Sequence, residues 1–197
     1  LLLMRQGSEV FYGAQGGGTL NNRNWEFCIK NNESEKNVYK GFVKDCVDYF
    51  LRENIVFWRS EGIPNHILSS QVACLNHLFA IRQDKDIALQ LAKMMIGEKV
   101  VDLETMKCDM SHSYISFEVT SSRDYLNERI VKRGANCTSV DAAMVAITKD
   151  GTRILIPIEW KYTEGNEYNI DKSGTEGSGK ERLRRYSGLI DNSSQLR

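Results

Sequence analysis

Two apolar periods divide the chain, one near 3.6 in its first half and one near 2 in its second. Between Val38 and Glu53, the residues Phe42, Val43, Cys46, Val47, Tyr49 and Phe50 recur at threes and fours, the spacing of an amphipathic helix. Gly62 and Pro64 punctuate the chain, and a second helix is expected over Ser69 to Arg82 with Ser69 or Ser70 as its N-cap. Asp84 opens a third helix, which Gly97 stops after Ile96. The period then changes. From Tyr114 to Val119, Ile115, Phe117 and Val119 fall on one side and Ser116 and Glu118 on the other, which predicts a strand. Two further β-rich runs, Val140 to Thr148 and Arg153 to Tyr162, are joined by Lys149-Asp150-Gly151 and predict a hairpin. A polar loop from Glu164 to Gly179 leads to a basic helix near Lys180 to Ile190.

The N-terminal stretch breaks this pattern. Gly13 and Gly16-Gly17-Gly18 precede the polar run Lys30 to Lys36, so residues 1–36 are expected as a flexible arm with a short strand near Trp25 to Ile29. The triple glycine lacks the Lys-Ser/Thr ending of a phosphate-cradling loop. Residues 37–197 then form a single domain, as the length of 197 residues allows. A hydrophobic share of 41% is enough for a core, and 26 basic residues cancel 26 acidic ones, so any polyanionic partner must be held by local charge. No apolar run approaches the ~18 residues of a membrane span, which points to a cytoplasmic protein without a membrane partner. The five cysteines are scattered without zinc spacing and are expected to be reduced thiols.

The chemistry lies in the hairpin. A three-residue connection closed by Gly151 pairs Thr148 with Thr152, and counting back sets Asp141 opposite Glu159. Opposed residues share a face, so these carboxylates should stand roughly 5 Å apart at Cβ, with Lys161 two residues on and on the same face. Ala143, Val145 and Ile147 continue the Asp141 face, and Val140, Ala142, Met144 and Ala146 the other. A sheet apolar on both faces needs helices on both faces. The acids and Lys161 interrupt that surface, and two close carboxylates repel unless a cation neutralises them. A hard divalent ion held by Asp141, Glu159 and the Trp160 carbonyl, with Lys161 placed to stabilise developing charge, has the parts needed for phosphodiester hydrolysis. A plain Asp/Glu/Lys salt bridge is the competing reading.

Here the sequence resembles the PD-(D/E)XK nuclease superfamily, through Ser139-Val140-Asp141 and Ile158-Glu159-Trp160-Lys161. Its leading proline is replaced by Val140. The segments Ser69-Ser70-Gln71, Cys74, Asn76-x-Leu78-Phe79, Phe117-Glu118, Gly134 to Ala142 and Glu159 to Glu164 are similar to a bacterial restriction-endonuclease-like group in that superfamily. The resemblance implies an α/β fold with a restriction-endonuclease-like core: a mixed central sheet with an antiparallel β-meander, helices on both faces and a helical N-terminal half. A fourth strand would be hard to place after Ile190. It also implies Asp141, Glu159 and Lys161 as catalytic residues, Mg2+ or Mn2+ as the metal, and Glu118 and Gln71 as candidates for an additional acidic or polar site position. The third strand would be an edge, which suits Pro157.

Arg129, Lys132 and Arg133 precede the acids, and Lys172, Lys180, Arg182, Arg184 and Arg185 follow them. Around a cleft, Arg133, Lys180, Arg182 and Arg185 could neutralise phosphates, with Arg185 and Tyr186 reaching in from the last helix. The expected function is DNA cleavage by an endonuclease of restriction or defence type, with RNA the less favoured substrate. A homodimer would fit cutting of both strands. The alternative is a catalytically inactive nucleic-acid-binding or assembly module with the same fold. His66, His77 and His112 share no ligand spacing and receive no chemistry.

Overall fold

A computed structural model describes residues 9–57, 62–121, 133, 138–161 and 177–192. The glycine-rich stretch is not a flexible arm there: β1 (Gly16–Leu20) pairs antiparallel with β2 (Arg23–Ile29). Asn21 and Asn22, at φ 52 and 59, form the two-residue turn between them, and paired positive φ values match the twist of such a hairpin. The hairpin is tied to the chain beyond it, since the Ile29 amide donates to Asn65 O at 2.8 Å and Asn65 Nδ2 donates back to Ile29 O at 2.9 Å. Gly18 is needed at this seam, because an added Cβ would stand 1.9 Å from Ile29 O.

The helical half follows the apolar spacing closely. Helix α1 (Val43–Arg52) buries Cys46, Tyr49 and Phe50, while the expected start at Val38 is replaced by a 3-10 segment, Asn31–Asn37, and turns. Helix α2 (Ser70–Leu78) opens on Ser69, whose side chain accepts from the Val72 amide, and a 3-10 turn, Phe79–Ile81, prolongs it. Helix α3 (Lys85–Ile96) is capped by Asp84, which accepts from the Asp86 and Ile87 amides, and ends at Gly97 with φ 100. No helix of the described residues is long and apolar enough to cross a membrane.

The second half centres on β5 (Val140–Thr148), which pairs along one edge with β6 (Arg153–Ile158). Its other edge is shared end to end by β4 (Ser116–Val119) and β3 (Val100–Glu104). The antiparallel meander β4, β5, β6 is present, and β6 is an edge among the described strands, which leaves Pro157 opposite Ala143. Two expectations change. Every described pairing is antiparallel, so the sheet is not mixed there; its fourth strand is β3, entered from α3, and not a segment after Ile190. Val-Val-Asp-Leu-Glu is too short for its period to be read. The second change concerns the layers. Ala142, Met144 and Ala146 face the core shared with the α1, α2 and α3 side chains, whereas on the Asp141 face Val145 and Ile147 are half-buried and Leu155 is 60% exposed. The face with Ala142, Met144 and Ala146 is the more deeply buried, although Ala143 on the other face is also fully buried.

Candidate active site

The hairpin register holds as far as its ladder runs. Ile147 pairs with Arg153 and Ala142 with Ile158, and the Thr148 amide donates to Thr152 O across a loop closed by Gly151 at φ 82. The ladder ends at Ile158, and one step further sets Glu159 opposite Asp141. On the other edge, Phe117 pairs with Ala142 and Val119 with Val140, so Glu118 occupies the position opposite Asp141. Counting on from these ladders, Glu118 on β4 and Glu159, just past the end of β6, fall on either side of Asp141.

Asp141 is half-buried, and its Oδ2 accepts from the Trp160 amide at 2.6 Å. Burial pushes its carboxyl up to about 6, the Trp160 bond opposes this, and the charges of Glu159 and Glu118 raise it further. Lys161 adds only a lowering contribution behind those. Glu159 and Lys161 join each other at 2.7 Å, with side chains 52% and 56% exposed. Both groups are more open than the sequence pattern predicts, because β6 has ended and the next residues leave the sheet. An exposed ion pair contributes little to stability. The salt-bridge reading therefore gives this constellation almost no structural purpose.

Glu118 is buried and differs from a regular strand residue. Its φ of 48 breaks the expected alternation, and Ser116 on the supposed polar side is buried as well. Gln71 Nε2 donates to Glu118 Oε1 and Ser139 Oγ to Oε2, each at 2.7 Å. The two additional candidates, Gln71 and Glu118, are thus one unit. Burial raises the Glu118 carboxyl, the Ser139 and Gln71 bonds and the Arg133 charge lower it, and Glu159 raises it. The peptide before Glu118 is fixed on both sides: Arg133 Nε and Nη2 donate to Phe117 O at 3.2 and 2.5 Å, and the Phe117 amide donates to Tyr49 Oη at 3.4 Å. A non-glycine residue at positive φ persists where its surroundings determine it this fully.

Arg133 is part-buried, and its guanidinium is held by protein acceptors. Its guanidinium also meets Glu53 at 3.3 Å, Tyr49 Oη at 3.1 Å and Cys108 O at 3.1 Å. Helix α4 (Gly177–Asn192) matches the expected basic helix with an earlier start, and approaches the site where Tyr186 Oη lies 3.5 Å from Thr138 Oγ1. Lys180 is exposed; Arg184 and Arg185 both pair with Glu181, at 2.8 and 2.9 Å. Arg129, Lys132 and Lys172, and the side chain of Arg182, lie outside the described residues.

Carboxylate and carbonyl oxygens are the donors that a hard divalent ion takes. No group of three or more His, Cys, Asp or Glu side chains among the described residues could hold a metal alone. Asp141, Glu159 and the Trp160 carbonyl instead offer the partial oxygen set of an ion that keeps water or substrate oxygens. The excess of like charge around Asp141 favours a cation there. Cys74, on α2, has its thiol raised by burial and then by Asp141, Glu118 and Glu159, so it stays neutral beneath the acids. Four cysteines, Cys28, Cys46, Cys74 and Cys108, are free, as expected of reduced thiols, although Cys108 is exposed. Sequence reasoning missed Ser139 as a partner of Glu118, the Trp160 amide as a partner of Asp141, and the stacking of His77 on Trp160 at 4.7 Å. Main-chain donors and ring contacts leave no spacing to read.

The family model described as Restriction Endonuclease associating with ARP matches residues 5–197. The chain belongs to that family. No curated protein and no solved structure matches it.

Proposed function

We propose that this member of a restriction-endonuclease family is a PD-(D/E)XK-type endonuclease that hydrolyses DNA phosphodiester bonds at Asp141, Glu159 and Lys161. The observation that carries the reading is the half-buried Asp141, raised by the neighbouring charges of Glu159 and Glu118, beside an exposed Glu159–Lys161 pair that has little structural purpose. The metal site would consist of Asp141, Glu159 and the Trp160 carbonyl. Bound there, Mg2+ or Mn2+ supplies Lewis-acid polarisation of the phosphate and a water that ionises near neutral pH.

The chain's own groups do the rest. The Trp160 amide holds Asp141 Oδ2 and so orients the carboxylate. Lys161, two residues from Glu159, can exchange that partner for a phosphate oxygen and stabilise the charge that builds in the transition state. Gln71 and Ser139 hold Glu118 as a fixed acid behind Asp141, adding negative field. Lys180 and Arg185 on α4 are the candidate backbone contacts. Two active sites are needed to cut both strands, which favours a homodimer, and the family's description makes ARP the first protein partner to test.

The test is plasmid cleavage with added Mg2+ or Mn2+. Wild type should cut, and Asp141→Ala, Glu159→Ala and Lys161→Ala should each lose at least about 100-fold. Digestion of RNA beside DNA fixes the substrate. Equal behaviour of wild type and Asp141→Ala would remove the assignment, and salt-dependent DNA binding that survives Glu159→Ala without cutting would identify a binding module instead.

A further inference from the structure

The segment that carries Glu159 and Lys161 lies beyond the last rung of β6, where no ladder bond defines its path. Trp160 ties this segment to the rest of the fold. Its amide donates to Asp141 Oδ2 at 2.6 Å, and its half-buried indole packs against the core on the sheet face opposite Asp141. There the indole meets the His77 ring, with centroids 4.7 Å apart and planes tilted by 35°. The histidine is itself fixed: Nδ1 lies 2.7 Å from Ala73 O, one turn earlier on α2, which defines Nδ1 as the protonated nitrogen and sets the ring orientation. His77 is exposed, so its ring is the outer wall against which the indole rests.

We infer that His77 is a positioning residue for the site, acting through Trp160. Alternation sends the Trp160 side chain to the face opposite Glu159 and Lys161, so the direction of these two exposed groups follows from where the indole is lodged. Trp160 is thus a pin through the sheet edge, with Asp141 on one side and His77 on the other. The same ring therefore governs the amide that orients Asp141. His77 touches none of the reacting groups, and its role requires an aromatic ring rather than an ionisable one. The consequence for metal binding rests on the nuclease reading; the geometry does not.

Amide hydrogen exchange of the full, metal-free chain tests this directly. The Trp160 amide should be protected in wild type, exchange about 3- to 10-fold faster in His77→Ala, and return to within about 2-fold of wild type in His77→Phe, while the β5–β6 ladder amides stay unchanged. Ladder amides that accelerate equally would show a general loss of stability and overturn the inference, as would a Trp160 rate indifferent to His77→Ala. Calorimetric Mn2+ affinity should follow the same order, weaker in His77→Ala and restored in His77→Phe. Wild type that binds no Mn2+ while the exchange pattern holds would sink the nuclease reading and leave the pin intact.

Discussion

Two groups of acids meet at β4 and are treated in opposite ways. Asp109 and Glu53 lie in a buried network: Asp109 accepts from Ser116 Oγ at 3.0 Å, Tyr49 Oη at 3.2 Å and the Ser111 amide at 2.7 Å, with Arg82 at 4.0 Å. Glu53 faces Arg133 and accepts from the Met110 amide. Arg82 also lies 4.4 Å over the Tyr49 ring. Asp109 has a cation and three donors; Glu53 has Arg133 and the Met110 amide on Oε2, while its buried Oε1 has no hydrogen-bond partner among the described residues. Asp141 has one amide and two neighbouring carboxylates, and its nearby lysine is occupied by Glu159. Buried charge that serves the fold is neutralised from within the fold. Among the described residues the Asp141 carboxyl has less of that internal compensation, which is why it is held up near 6.

The largest contrast should appear in stability. Asp109→Ala leaves Arg82 without its anion in a buried setting and should cost about 3–5 kcal/mol. Asp141→Asn removes a repelled charge and should leave the unliganded protein as stable or more stable at neutral pH. Denaturant melts of the two variants check this, and a destabilised Asp141→Asn would place that carboxylate with the structural acids.

A smaller effect follows from pH. The folded carboxyl of Asp141, near 6, lies above its ordinary value of 3.8. Its contribution to stability is fully present below pH 3.8 and is lost as pH rises through about 6, because the folded state then holds a proton that the unfolded chain releases. Glu118 is raised in the same sense. The half-open position of Asp141 limits this to about 1–2 kcal/mol. Unfolding free energy of the metal-free protein should fall between pH 4 and 6 by roughly that amount, and the slope should flatten in Asp141→Asn.

The contrast also explains what the sequence made readable. The Gly151-closed loop let the register from Ile147–Arg153 to Ala142–Ile158 be counted from spacing, as were the caps at Ser69, Asp84 and Gly97. Glu118 and Gln71 could be named, but their joining across 47 positions could not, since it depends on a backbone twist at Glu118 set by Arg133 and Tyr49. The protein partners of Arg133 were equally out of reach of spacing. A basic residue near acids looks like a surface contact until its buried partners, Glu53 and Phe117 O, are seen. The glycine triplet misled through composition, because the pairing that makes it a strand comes from residues after the Asn21-Asn22 turn.

The proposed nuclease site requires Asp141 to take a divalent cation. Titration of the full chain with Mn2+ by calorimetry at neutral pH, beside Asp141→Asn, tests it most directly. Wild type should bind at a site whose affinity falls at least about 10-fold in the variant, with release of protons on binding. Equal affinity in the two proteins, or no binding by wild type, would contradict the account.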